Sequence, residues 1–287
     1  MRRRLYEPSV IRALLAEHGV RAKKSYGQNF LVDESVLAAI VQAAVGDDIH
    51  SCSAVVEVGP GIGTLTQALA EEGFSRVVAV EKDRRLLPLL QRSLADYPAV
   101  RLVQADALAV DWTALLTPEE GSGTVRVAAN LPYYITTPLI MSLLESPQAF
   151  DRLVVMVQKE VADRMAAVPG GKDYGVLTLT VQYYSKVEII RTVGADCFMP
   201  RPEVDSAVVL MQTRRPDYAV DDGGLFFRVV RAAFGQRRKT LANALAAGFP
   251  ALGKDGVQRW LGRAGVDGER RGETLSAEEF AELSKRL

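Results

Sequence analysis

Apolar residues along this chain follow two alternating rhythms. Short apolar runs rich in β-branched residues recur near residues 54–58, 76–80, 100–104, 125–129 and 152–157, with the length and composition of strands. Helical patterns fill the gaps between them. Upstream, Asp33 precedes apolar positions at Val36, Leu37, Ile40 and Val41, which predicts a capped amphipathic helix. Strands alternating with helices imply βαβ units and a parallel sheet. After Gln158 the rhythm changes. Residues 158–166 and 174–184 look helical, then Lys186–Thr192 and Val204–Met211 read as two strands able to pair as a hairpin at the sheet edge. Between those strands, Cys197-Phe198-Met199-Pro200-Arg201-Pro202 places an aromatic residue in a stiff, proline-flanked loop. Past Arg214-Arg215-Pro216, a polar linker Asp221-Asp222-Gly223-Gly224 opens a mostly helical tail. The expected organisation is an extension over 1–22, an α/β domain over 23–215 and a small helical domain over 216–287.

Composition narrows the class. At 287 residues the chain can bury a full core, and about two domains is the expectation from length. Hydrophobic residues make up 48% without an 18-residue apolar run, so no membrane span is expected. Met1-Arg2-Arg3-Arg4-Leu5 is basic but has no apolar segment behind it, which argues against a secretory signal. Cys52 and Cys197 lie far apart with no Cys-x-x-Cys, implying reduced thiols, no zinc site and a cytoplasmic setting. Lys and Arg number 35 and Asp and Glu 35, so any nucleic-acid affinity must come from local patches. Arg2–Arg4, Lys23-Lys24, Arg214-Arg215 and Gln236-Arg237-Arg238-Lys239 are candidates, and each also reads as ordinary solvated surface. The last stands out because it follows Phe234 and precedes a helix-like Thr240–Ala247.

Chemistry enters with the glycines. Val55-Val56-Glu57-Val58-Gly59-Pro60-Gly61-Ile62-Gly63-Thr64 is a strand, a tight turn and a helix start, the arrangement in which a bare backbone approaches a nucleotide-type cofactor. A dinucleotide fingerprint places its third glycine three positions after the second, whereas Gly61 and Gly63 are two apart. That spacing favours a cofactor without phosphate, such as S-adenosylmethionine. Glu81 ends the second strand about 20 residues past the glycines, where a carboxylate can accept from both ribose hydroxyls. Asp106, after the third strand, is placed to accept from an adenine amino group.

Asn130-Leu131-Pro132-Tyr133 ends the strand-like run Val125–Ala129 and points to chemistry on an amino nitrogen. An exocyclic amino group delocalises its lone pair into the ring, so it is a poor nucleophile. The Asn130 side-chain oxygen and the Leu131 backbone oxygen could both accept from one NH2, favouring a tetrahedral nitrogen. Such bonds strengthen as positive charge develops, which is the condition for catalysis. Pro132 stiffens the turn, and Tyr133 offers a face on which an extruded base can stack.

Together these segments resemble the ribosomal RNA adenine N6-dimethyltransferase family, nearest its bacterial small-subunit branch. Gly27-Gln28-Asn29-Phe30-Leu31, Glu57–Gly63, Asn130–Tyr133 with Thr136-Thr137-Pro138, Gln158-Lys159-Glu160-Val161, Tyr174-Gly175, Phe198–Ser206 and Phe234–Asn243 carry the likeness. It spans almost the whole chain beyond residue 22. The resemblance implies an α/β fold, a Rossmann-like S-adenosylmethionine-dependent methyltransferase sheet with a small C-terminal helical domain. It implies cofactor contacts at Asn29, Leu31, Gly59, Gly61, Glu81, Asp106 and Asn130. Only the resemblance supports Asn29 and Leu31. Tyr133 and Phe198 resemble the pair that sandwiches the target adenine, beside Asn130 and Leu131 as the groups that position N6. Arg237, Arg238 and Lys239 become the expected RNA-docking residues, and no metal is implied.

The implied reaction is dimethylation of N6 on two adjacent adenines in a hairpin near the 3′ end of small-subunit (16S) rRNA, within an immature 30S subunit. A monomer is expected. Three alternatives stand beside it. The large-subunit branch that confers macrolide resistance shares the core motifs, but Leu131 and Thr136-Thr137-Pro138 favour the small-subunit branch. DNA adenine methyltransferases usually carry large target-recognition insertions that this chain lacks. A non-catalytic ribosome assembly factor would keep the fold and lose turnover.

Overall fold

The computed structural model describes residues 4–21, 27–116, 123–146 and 148–287. Arg2, Arg3 and Lys23-Lys24, named above as basic candidates, lie outside the described residues. The chain divides into two compact units, Met1–Ala162 with Lys186–Thr213 and Asp163–Ser185 with Arg214–Leu287. Residues 163–185, expected within the α/β domain, therefore group with the helical tail.

In the first unit, α1 (Pro8–Glu17), β1 (Phe30–Leu31) and α2 (Glu34–Val45) lead into β2 (Cys52–Val58). Then follow α3 (Thr64–Glu72), β3 (Val77–Glu81), α4 (Leu87–Ser93), β4 (Val100–Gln104), α5 (Trp112–Leu115), β5 (Thr124–Asn130), α6 (Thr136–Leu144) and β6 (Phe150–Gln158). After α7 (Lys159–Met165) and α8 (Val176–Tyr184), the chain forms β7 (Ser185–Val193), β8 (Phe198–Met199) and β9 (Ser206–Thr213). Seven strands form one sheet in the order β4-β3-β2-β5-β6-β9-β7, while β1 and β8 pair separately. β2 through β6 run parallel to one another, and β9 lies antiparallel to β6. β7 occupies the edge beside β9, as the hairpin expectation requires.

Both faces of the central strands are covered, so Val55, Val56, Val77, Val78 and Ala79 are fully buried and the strands read as continuous apolar runs. From β2 the chain crosses to β3 on one side, and β5 lies on the other. The connections diverge at the carboxyl ends of β2 and β5, which opens a crevice there. Asp33 caps α2 by accepting from Val36 N at 3.0 Å, as its position before the apolar stripe predicts.

The leading segment is part of this unit's core. Leu5, Ile11, Leu14 and Val20 are buried with Ile62, Leu86, Leu89, Leu90 and Leu94. Thr64 Oγ1 donates to the Leu5 carbonyl at 3.0 Å, and Leu5 N donates to Gln67 Oε1 at 3.1 Å.

The second unit joins α8 to α9 (Gly223–Phe234), α10 (Leu241–Gly248), α11 (Gly253–Ala264) and α12 (Ala277–Lys285). Trp260, Phe226 and Phe280 are fully buried, and Trp260 Nε1 donates to the Leu283 carbonyl at 2.8 Å. Gly223-Gly224 is not a linker but the first turn of α9. Asp222 caps it through Leu225 N at 3.0 Å, and burial of Phe226 and Phe227 outweighs the poor helix propensity of two glycines. Among the described residues no helix is long and apolar enough to cross a membrane.

Candidate active site

The glycine turn after β2 forms the floor of a cleft. Gly59, Gly61 and Gly63 take φ of +72°, +62° and +93°, a region costly for residues with a Cβ. A Cβ on Gly61 would lie 3.2 Å from the Phe30 ring, so the turn is tight sterically as well as conformationally. Gly61 N donates to Glu81 Oε2 at 3.3 Å, which ties the turn to the end of the neighbouring strand.

Three carboxyl groups line this cleft in three different electrostatic states. Glu81 is buried and accepts from Asp83 N at 2.7 Å as well as from Gly61. Burial pushes its carboxyl up, partly offset by those amides. Asp106 is more open, accepts from Lys82 Nζ at 2.7 Å and Leu108 N at 3.1 Å, and is held low chiefly by Lys82. Glu57, two residues before Gly59, is 2% exposed and takes a 2.5 Å hydrogen bond from Thr66 Oγ1. Its burial pushes it up to about 8, which favours the neutral form. Among the described lining residues Lys82 is the one cation, and it faces Asp106. Such a wall disfavours a polyphosphate and fits a nucleoside cofactor that offers hydroxyl and amino donors.

Over the cleft runs β1. Asn130, the last residue of β5, donates through Nδ2 to the Asn29 carbonyl at 3.0 Å. That bond commits the donor side of the amide and leaves Oδ1 as the acceptor. Gln28 Nε2 donates to Asp83 Oδ2 at 3.1 Å, and Asp83 is itself held by Arg85. Leu31 pairs with Phe198 in the β1–β8 ribbon.

Of the residues singled out from sequence, Asn29, Leu31, Gly59, Gly61, Glu81, Asp106 and Asn130 all line this one cleft. Leu131, Tyr133 and Phe198 do not form its wall. Leu131 is buried and its N donates to the Met156 carbonyl at 3.1 Å. Tyr133 is half-buried, with its hydroxyl 2.9 Å from Ser206 Oγ. Phe198, 5% exposed, sits in the apolar cluster with Leu31 and Val36, so its ring faces core. The aromatic residue on the cleft wall is Tyr134, 53% exposed, which sequence reasoning passed over. It also gave no role to Glu57 and Gln28, though both fall inside motifs it quoted. In the helical unit Arg237, Arg238 and Lys239 are exposed in the turn after α9. Arg237 Nη2 donates to the Lys172 carbonyl at 2.7 Å and the Tyr174 carbonyl at 3.1 Å.

Comparison with known proteins agrees with this geometry. The profile of the ribosomal RNA adenine dimethylase family matches residues 19–287. A ribosomal RNA small subunit methyltransferase A of Alkaliphilus metalliredigens is 46% identical over 99% of this chain and 98% of its own length. Its counterpart in Geobacillus kaustophilus is 49% identical over 98% and 96%. Among solved structures, a dimethyladenosine transferase from Plasmodium falciparum superposes with a TM-score of 0.71 at 24% identity, covering 88% of this chain and 95% of that one. The 23S rRNA methyltransferase ErmE gives 0.66 at 27% identity, covering 90% and 99%. A family profile that runs from residue 19 to residue 287, with relatives 46% and 49% identical along nearly the full length of both chains, shows that the chain belongs to the ribosomal RNA adenine dimethylase family.

Proposed function

We propose that this protein dimethylates N6 of two adjacent adenines in a hairpin near the 3′ end of small-subunit (16S) rRNA, acting as a monomer on the immature 30S subunit in the cytoplasm. The observation that carries the chemistry is Asn130 at the end of β5, its Nδ2 spent on the Asn29 carbonyl and its Oδ1 available at the cleft. The choice of substrate draws on the small-subunit methyltransferases that are 46% and 49% identical to it.

S-adenosylmethionine, when bound, supplies an electrophilic methyl group. Glu81 and Asp106 hold it through its ribose and adenine donors, Gly59 and Gly61 bring the backbone close, and Asn29, Leu31 and Asn130 close over it. At the target base, Asn130 Oδ1 and the Leu131 carbonyl accept from the N6 hydrogens and favour a pyramidal nitrogen. Both bonds strengthen as charge develops on N6. Tyr133 and Phe198 are the stacking faces for the extruded base, and a buried Phe198 requires that the β1–β8 ribbon part from the core first. The exposed cations of the helical unit dock the RNA.

Transfer of labelled methyl groups to unmethylated small subunits, large-subunit rRNA and duplex DNA in parallel tests this reading. Dimethyladenine on small subunits alone is expected; label on large-subunit rRNA would reassign the chain to the resistance branch. Asn130→Ala should lower kcat on the order of 10²–10³-fold. If that variant still binds immature subunits, binding and turnover are separable.

A further inference from the structure

A second cavity lies wholly within the helical unit. Its wall includes Arg164, Asp173, Tyr174, Gly175, Phe234 and Arg237. Three stretches of sequence meet there: the end of α7 (the helix that begins within Gln158-Lys159-Glu160-Val161), the Tyr174-Gly175 pair and the start of Phe234–Asn243. The methyl-transfer cleft uses none of them.

Arg164 stands in the last turn of α7, and its guanidinium makes no hydrogen bond or ion pair among the described residues. Its backbone, by contrast, is fixed. Thr178 Oγ1 donates to the Arg164 carbonyl at 2.6 Å and accepts from Gly175 N at 3.1 Å, tying the end of α7 to the start of α8. A solvated head on a fixed stem is a cation available for a ligand. Arg237 faces the same cavity from the other side. Its contacts to Lys172, Tyr174 and Glu273 all use Nη2, which aligns the guanidinium plane and leaves Nε and Nη1 uncommitted. Half-buried Phe234 packs edge-on against Tyr174 at 6.0 Å and supplies an apolar wall. Gly175 has no side chain with which to cap the first amides of α8, so positive dipole faces the cavity too. Asp173 is the carboxylate on the cavity wall, and Glu273 pairs with Arg237 at 3.4 Å.

The unpaired guanidinium of Arg164 and the open Nε–Nη1 edge of Arg237, beside an apolar wall, match a singly charged phosphodiester flanked by a sugar. We propose that this cavity seats one backbone phosphate of the rRNA substrate between Arg164 and Arg237. This rests on the rRNA dimethyltransferase reading above and adds to it a position that anchors the RNA away from the reacting adenine.

Steady-state methyl transfer to unmethylated small subunits, with subunit concentration varied, separates the outcomes. Arg164→Ala should raise KM about tenfold, the loss of one charge-assisted contact, with little of the effect in kcat. Arg164→Lys should recover only part, since it restores the charge without the fork. Asp173→Asn should move KM the other way, down about two- to threefold, because it removes the repulsive charge on the cavity wall. A misfolded variant cannot imitate that opposite sign. Unchanged KM in both Arg164→Ala and Asp173→Asn, with the wild type active, would overturn the phosphate site alone. A wild type that transfers no methyl to any rRNA would overturn the site together with the function it rests on.

Discussion

Glu57 occupies a position where a charge is costly. Fully buried beside the cleft, with Thr66 as its hydrogen-bond donor and Glu81 adding a like charge, it titrates near 8 rather than its ordinary 4.5. The folded state therefore binds a proton that the unfolded chain has already released between those two values. Stability from this group is full below the unfolded pKa and is lost as pH rises through about 8. Glu57→Gln, neutral at every pH, should gain on the wild type by no more than about 1.4 kcal/mol per pH unit across that window. Urea denaturation at pH 6 and pH 8.5 reads the difference; a constant gap would mean that Glu57 is charged throughout. Arg126 poses the reverse problem, a buried cation with a full set of acceptors. It donates to the Val45 carbonyl at 2.6 Å, the Asp48 carbonyl at 2.8 Å and Ser51 Oγ at 2.9 Å, pinning the α2–β2 connection to β5. Arg126→Met should cost about 3–5 kcal/mol, because it strands those acceptors in a buried site. The same urea titration measures it.

At the level of elements, legibility followed locality. The β2, β3, β5 and β6 strands announced themselves because burial on both faces makes each a largely apolar run, the edge strand β4 kept only three apolar residues, and Glu81 and Asp106 were found by counting to the ends of β3 and β4. The Thr66–Glu57 bond and the Gln28–Asp83 bond were not legible, since each pairs residues whose spacing carries no periodic signal. The β1–β8 ribbon, two residues per strand, is too short for alternation to register. The turn Gly223-Gly224 was misread because two glycines outweigh one capping aspartate when burial is unknown. α1 is the largest gap: its helix was invisible as a docked element because its partners on α4 lie about 75 residues away in sequence. Ile11, fully buried there, supplies a sharp test. Ile11→Ala should destabilise the protein by about 2–4 kcal/mol, as for a core position. A loosely attached extension would show under about 0.5 kcal/mol in the same denaturation experiment.

For the whole molecule, formal charge sums to zero, with 35 basic and 35 acidic residues, so RNA affinity must be concentrated rather than spread. The three basic residues after Phe234 were assigned one role from sequence, but their surroundings divide them. Arg237 spends part of its guanidinium on two carbonyls and Glu273. Arg238 and Lys239 are exposed and, among the described residues, have no ion pair. Their loss should therefore be electrostatic and nothing else. Arg238→Ala with Lys239→Ala should weaken rRNA binding similarly across sequences and flatten the plot of log affinity against log salt by about two. The melting temperature should stay in place. Arg237→Ala should instead lower the melting temperature along with the affinity, because it also releases the 172–174 loop. Filter binding over a salt series, run beside thermal melts, distinguishes the two. Equal slopes for wild type and double variant would remove this turn from the RNA interface and shift the docking surface elsewhere on the molecule.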